Sequence, residues 1–437
     1  MIESKISSKI TPYFKLEEVA NSLIKYLSDK KVVLLGEASH GTAEYYTIRR
    51  LITEKLIKDH KFNFIAVEGD WPECYTLNQF IKSKTSALDA SNTLKTFKRW
   101  PTWMWSNSEV LQMIENLQVI NLTREKKDKA SIYGLDVYSL FESIDRVIEE
   151  LHKIDPKMAE LARYRYGCFE KFHRDEKKYL QYLINFPEGC REGVIQMLTD
   201  LLKLRLEEID GDNEVLMNIK QNANIVLGAE TYYRTMILGD DDSWNVRDRH
   251  MMDTLDNIFK GLHPEGKAII WAHNTHIGDY KYTSMADEGE INIGGLVREK
   301  YGDDKVALVG FGTHRGSVIA SSKWGGKIKK LPVPPAMSSS WDLYLHNICL
   351  GLKAPIISMN FQEMKKDGED KEFMSWKGQR AIGVVYHPAF ERGNYVPTVL
   401  ARRYDAFIFI DETNALEPVV VTKPDKKEIP HDFPASS

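Results

Sequence analysis

Short unbroken apolar runs, each closed by an ionisable cluster, constrain the fold of this chain more than any other feature. Val32–Leu35 is the first, followed at once by Gly36, Glu37, Ser39 and His40. Four apolar residues in a row with no polar alternation read as a strand covered on both faces, as in a parallel sheet. Thr42 then stands as N-cap to an amphipathic helix from about Ala43 to His60. Further runs follow the same plan. Phe62–Val67 ends at Glu68 and Asp70, Ser131–Leu135 at Asp136, and Lys267–Ala272 at His273 and His276. Val306–Gly310 ends at His314 and Arg315, and Ile382–Tyr386 at His387. Ala406–Ile410 ends at Asp411 and Glu412. Parallel strands bring their carboxyl ends to one edge, where open α/β folds bind ligands, so these side chains are expected in one polar pocket.

Between Leu140 and about Leu238 the pattern changes to Leu, Glu, Lys and Arg at helical spacing, with little Gly or Pro. The expected fold is therefore α/β, a mainly parallel central sheet flanked by helices, with a large all-helical insertion. The boundaries read as 1–139 and 241–421 for the two halves of the α/β core, 140–240 for the insertion and 422–437 for a loosely held tail. Residues 278–290 and 362–379 read as polar loops, the first of them mobile, and Leu331–Ala336 as an irregular connector.

A net charge of −4 with no dominant basic face argues against a nucleic-acid partner. The four cysteines, Cys74, Cys168, Cys190 and Cys349, are far apart in sequence, which points to a reducing compartment. With no signal pattern and no apolar run of membrane-spanning length, the chain reads as a whole cytoplasmic protein, a monomer with no membrane partner.

The chemistry narrows by what is missing. There is no Gly-x-Ser-x-Gly elbow for a serine nucleophile, no phosphate loop, and no Gly-x-Gly-x-x-Gly after a strand. Metal-ligand spacing exists in Glu37/His40 and His273/His276. A second Glu-x-x-His at Glu170 and His173 lacks identifiable acidic partners for a di-iron bundle. Metal-free general acid/base hydrolysis is the remaining option. A His oriented by a carboxylate takes a proton from water, and a nearby Arg holds the developing oxyanion. Glu37, His40, Arg49 or Arg50, Glu68 and His273 supply those types from different strand ends. The tryptophans Trp100, Trp103 and Trp105, with Trp71, either wall a pocket for a bulky apolar ligand or plug the core.

Eight ordered blocks carry a resemblance to a known family. They are Gly-Glu-Ala-Ser-His-Gly-Thr-x-Glu (36–44), Ala-Val-Glu-Gly-Asp-Trp (66–71), Arg-Trp-Pro-Thr-Trp-Met-Trp (99–105) and Tyr-Gly-Leu-Asp (133–136). Then come Arg-Asp-Arg-His-Met (247–251), Trp-Ala-His-Asn-x-His-Ile-Gly-Asp (271–279), Gly-Phe-Gly-Thr-His-Arg-Gly (310–316) and Pro-Val-Pro-Pro-Ala (332–336). Over about residues 30 to 420 the chain resembles the erythromycin esterase family. The resemblance implies an α/β core with a helical insertion, no cofactor and no bound metal. It implies hydrolytic opening of a macrolide lactone, and with it antibiotic resistance. Its active-site pattern falls on Glu37, on His40 as general base, and on Arg49, Glu68 and His273. His276, Trp71, Trp103, Trp105 and Arg50 are carried as substrate-binding residues. Two alternatives stay open from the residues themselves: a metal-dependent hydrolase similar to Tiki-type proteases, and a non-catalytic binding or polysaccharide-production accessory protein.

Overall fold

The structure is a computed structural model that describes residues 9–84, 89–204, 213–238, 243–419 and 427. The tail expected at 422–437 lies outside the described residues, apart from Lys427. The strands are β1 (Ile10–Tyr13), β2 (Val32–Leu35), β3 (Phe64–Val67), β4 (Ser131–Gly134), β5 (Ala268–Trp271) and β6 (Val306–Ala320). They continue as β7 (Lys329–Val333), β8 (Ile356–Asn360), β9 (Trp376–Arg380), β10 (Tyr395–Val399) and β11 (Ala406–Thr413). The described residues form two compact units, one falling within 1–65, 80–131 and 267–423, the other within 66–79, 132–266 and 424–437.

In the first unit the strand order is β1-β8-β11-β6-β2-β5, with β7 beside β6. The centre is parallel: β2 pairs with β5 and β6, and β11 with β6. Every residue of β2 and β5 is buried, which accounts for their apolar runs. The far side turns antiparallel through β8 and β1, and β7 folds back on β6. The connector expected over Leu331–Ala336 contains the end of β7, where Pro332 is tolerated because the strand is paired on one side. Ile382–Tyr386, expected as a strand, makes only isolated bridges, Ser39 to Ile382 and Ser321 to Val385. The 362–379 stretch is not a loop throughout, since it contains most of the helix Phe361–Asp367 and most of β9.

The 278–290 segment is anchored by specific bonds. The Asn292 side chain donates to the carbonyls of Thr275 and Gly278, both at 2.6 Å. Arg298 pairs with Asp279 at 3.3 Å and with Asp405 at 2.5 Å. The start of the segment, Gly278 and Asp279, is thus tied into a polar network, while Lys281, Asp287 and Glu288 are exposed.

The second unit holds the helices expected between residues 140 and 238. They are Leu140–Ile154, Pro156–Tyr166, Glu176–Asn185, Arg191–Lys203 and Asn213–Leu238, joined by a 3-10 turn over Gly167–Phe172. Leu140, Phe141, Ile144, Val147 and Leu151 form the buried stripe of the first. Asp155 starts the next: its carboxylate accepts from the Lys157 and Met158 amides at 3.0 and 3.1 Å, with Pro156 at the first helical position.

The cysteine expectation is corrected here. Cys168 and Cys190 form a disulfide, because the 3-10 turn and the start of helix Arg191–Lys203 meet with Cα atoms 5.6 Å apart. Distance along the chain was a poor guide to distance in space, and the cysteine argument for a reducing compartment falls. No described helix is long and apolar enough to cross a membrane.

His250, on the helix Ser243–Gly261, shows what burial does to a titratable group in this unit. Gly228 leaves it room: a Cβ there would lie 2.5 Å from the His250 ring nitrogen. Burial lowers the imidazole pKa to about 4, against the opposing pull of Asp136. The folded chain keeps it neutral, whereas the unfolded chain protonates it near 6.5. Between those values the unfolded state binds more protons, so stability falls as the pH falls. The loss should reach about 3 kcal/mol across that window. Urea unfolding at several values between pH 7 and 4 should show it, and His250→Gln should flatten the slope. An unchanged slope in the variant would assign the acid sensitivity elsewhere.

Candidate active site

The register of the parallel centre decides which residues meet. Leu35 of β2 is level with Trp271 of β5 and Val309 of β6, so the residues that follow each strand emerge at one edge. Asn274 locks this edge. Its amide donates to the Glu37 carbonyl at 2.9 Å, and its side chain spans the Phe311 backbone, donating to the carbonyl at 2.7 Å. Gly36 is required by this arrangement, because a Cβ there would stand 2.2 Å from the Asn274 side-chain oxygen.

Glu37 is the hub. Its Oε1 lies 2.9 Å from His40 Nδ1, and its Oε2 accepts from Arg49 Nη2 at 2.6 Å. Glu37 and Arg49 are 1% and 0% exposed, and His40 is 7% exposed. A carboxylate can only accept, so Nδ1 carries the proton and the basic nitrogen of neutral His40 is Nε2. The Arg49 guanidinium lies over two aromatic faces, Tyr46 at 4.2 Å and Trp271 at 4.7 Å. Those contacts supply cation–π attraction where water is excluded.

His273 stands two residues past the end of β5, and its ring centroid lies 4.9 Å from that of His40. The Thr275 amide donates to its Nδ1 at 3.3 Å, so neutral His273 carries its proton on Nε2. His276 is buried on the short helix Asn274–Ile277. Between the two arginine candidates, the structure brings Arg49 to Glu37. Arg50, about 100° further round the helix, pairs instead with Glu54 at 3.1 Å. Thr42 sits at the N-cap position without using its hydroxyl as a cap; the Ala43 amide donates to the Asn414 carbonyl at 2.9 Å.

A further carboxylate–arginine cluster belongs to the second unit. Arg247 grips Asp136 with two bonds, Nε to Oδ1 at 2.9 Å and Nη2 to Oδ2 at 2.7 Å, and donates to Glu68 Oε1 at 2.8 Å. All three are nearly fully buried, and the guanidinium lies 5.0 Å over the Tyr138 ring. Its two carboxylates hold Arg247 in the charged form, against the burial that opposes it. Residue-type reasoning did not pick out Arg247; the available signal was its place in the Arg-Asp-Arg-His-Met block.

The tryptophans divide. Trp71, in the second unit, stacks on Tyr133 at 5.3 Å and donates to Asn218 at 2.9 Å. Trp103 is 1% exposed, and Trp105 packs edge-on to Tyr46 at 6.4 Å. His314 joins a different group, stacked on His346 at 3.7 Å, with His346 2.5 Å from Asp411. Burial and the adjacent His346 lower the His314 pKa to about 4. His387 donates to the Ser322 carbonyl at 2.7 Å near the surface. Among the described residues, no group of three or more His, Cys, Asp or Glu side chains is arranged to hold a metal ion.

The fold and sequence are shared with known proteins. YbfO of Bacillus subtilis (strain 168), a hydrolase by name, is 21% identical over 92% of this chain and 87% of its own length. Erythromycin esterase type I of Escherichia coli is 21% identical over 75% of this chain and 82% of its own. A solved succinoglycan biosynthesis protein superposes with a TM-score of 0.76 at 20% identity, covering 94% of this chain and 96% of that one. A mutant of the erythromycin esterase EreC in its open conformation gives 0.64 at 15% identity, covering 96% and 100%. At these identities the solved structures establish the fold. The erythromycin esterase model itself matches residues 57–413, most of the chain, and this protein belongs to the erythromycin esterase family.

Proposed function

We propose that the chain hydrolyses a carboxylic ester, with a macrolide lactone as the substrate class, by metal-free activation of water at His40. The observation that carries this is Glu37, buried and bonded to His40 Nδ1 on one oxygen and to Arg49 on the other. Nε2 of His40 takes a proton from water as the water oxygen bonds to the ester carbonyl carbon. Glu37 stabilises the imidazolium so formed. The Nε2–H of His273, one ring away, donates to the developing oxyanion. When the tetrahedral intermediate collapses, the C–O bond to the alcohol breaks and His40 returns the proton to the departing oxygen. The products are a carboxylate and an alcohol on one opened chain.

Incubation with 14- and 15-membered macrolides should add the mass of one water, with the rate unchanged by a chelator and falling toward acid pH as His40 becomes charged. His40→Ala should lose about 10²–10⁴ in kcat. It should leave the fold intact, because Glu37 keeps its pair with Arg49. A folded His40→Ala protein within threefold of the parent would remove His40 from the chemistry. Product from simple esters with none from macrolides would keep the mechanism and change the substrate.

Glu37→Gln should behave differently. It leaves the Arg49 guanidinium, 0% exposed, without its carboxylate, and breaking a buried pair from one side costs about 3–5 kcal/mol. Removing both charges, in Glu37→Gln with Arg49→Met, should restore part of that stability without restoring activity. Thermal unfolding of the two variants checks this; additive losses would show that the pair is not coupled.

A further inference from the structure

Arg403, at the end of the short helix Leu400–Arg403, is 1% exposed, and among the described residues it makes no ion pair. Its Nη1 donates to Gln379 Oε1 at 3.1 Å and to Thr398 Oγ1 at 2.8 Å, and its Nη2 donates to the Asn274 carbonyl at 2.9 Å. Its Nε is buried with no hydrogen-bond partner, beside Gly278, where a Cβ would lie 2.5 Å from it. The Tyr404 ring, 5.3 Å from the guanidinium, offers partial compensation. Burial lowers the pKa of the group, against the pull of Tyr404 and Asp279, yet an arginine keeps its proton at any working pH. A buried cation without a carboxylate is expensive to keep.

The groups that accept from it have other bonds. Gln379 Oε1 accepts from the Tyr404 hydroxyl at 3.1 Å, and the Asn274 carbonyl accepts from the Gly278 amide at 3.1 Å. The Thr398 hydroxyl donates to the Val396 carbonyl at 3.0 Å. An apolar side chain in place of the arginine would leave none of the three unbonded, so hydrogen-bond satisfaction alone does not call for the charge.

What the cation holds at the sheet edge is one peptide group. The carbonyl it bonds belongs to the Asn274–Thr275 peptide, and the N–H of that same peptide donates to His273 Nδ1 at 3.3 Å. A charged donor on the carbonyl polarises the peptide and strengthens its N–H as a donor. The Thr275 hydroxyl, 2.8 Å from the same nitrogen, can donate or accept, whereas the amide can only donate. The amide therefore decides which ring nitrogen carries the proton.

We propose that Arg403 is a positioning residue for His273: through the Asn274–Thr275 peptide it keeps Nδ1 an acceptor and so presents Nε2–H to the oxyanion. The inference rests on the role given to His273 in the proposed ester hydrolysis.

Arg403→Met should melt no lower than the parent. It should lose about tenfold in kcat with KM within about twofold, a smaller loss than the roughly 10²–10³ that removing an oxyanion donor outright costs. Because the effect passes through His273, adding Arg403→Met to His273→Gln should lower kcat no further. Nitrogen NMR of isotope-labelled histidine needs no substrate. His273 should be Nε2–H alone in the parent and a mixture of both tautomers in Arg403→Met, with Arg403→Lys, which keeps the cation, between the two. An unchanged His273 spectrum in Arg403→Met overturns the proposal whatever the ester assays give, as does a kcat loss that persists in full in the His273→Gln background. The spectral change in a protein that turns over no ester supports the positioning and rejects the ester reading. Should Arg403→Met fail to fold, Arg403→Lys decides, because one ammonium cannot reproduce the fork to Gln379 and Asn274: a tautomer mixture supports the proposal, and the parent spectrum overturns it.

Discussion

The buried ion pair between Glu37 and Arg49 is the contact on which the arrangement at the sheet edge depends. Removing a carboxylate and a guanidinium from water costs several kcal/mol per ion, recovered only where geometry and further bonds compensate. Here the carboxylate gives its second oxygen to His40, and the guanidinium lies over the Tyr46 and Trp271 rings. Each compensating contact comes from a different element. Glu37 and His40 follow β2, Arg49 and Tyr46 lie on the helix Ala43–His60, and Trp271 ends β5. Trp271 in turn donates to Thr53 on the same helix at 3.0 Å. Satisfying one buried charge therefore fixes the helix against two strands, and His273 is placed two residues beyond the Trp271 ring.

Elements buried on both faces were legible in the sequence, because their composition leaves no other option. Val32–Leu35 and the β5 segment are apolar without interruption, and the structure makes them central parallel strands. Edge and hairpin elements were not legible. β7 reads Lys-Lys-Leu-Pro-Val and β10 Tyr-Val-Pro-Thr-Val, each with a proline that argues against a strand unless one side is unpaired. Ile382–Tyr386 shows the converse: apolar β-branched residues form no extended ladder there, and their burial is met by isolated bridges. Local propensity yields to the partners tertiary structure supplies.

The site divides along the same line. Glu37 and His40 are close in sequence, so their contact was foreseeable from spacing at a strand end. Arg49 could not be separated from Arg50 without the helix phase. The Arg247 contact with Glu68 spans 179 residues, and the Cys168–Cys190 link joins two loops that only the helical packing brings together. Long-range pairs of this kind leave no periodic trace in a single sequence.

The two carboxylate–arginine clusters use the same residue types with different partners. In the second unit, Arg247 holds Asp136 through two bonds and takes an oxygen of Glu68, so these carboxylates face a cation that does not titrate in the accessible range. Such a set holds charge in a fixed geometry. Glu37 differs because one of its oxygens faces an imidazole, a group able both to accept and to release a proton. Arg49 takes the other carboxylate oxygen, so in the proposed chemistry the proton enters and leaves at the imidazole and Glu37 answers it electrostatically. An arginine behind the carboxylate and a histidine in front of it turn an ion pair into a group suited to general-base work.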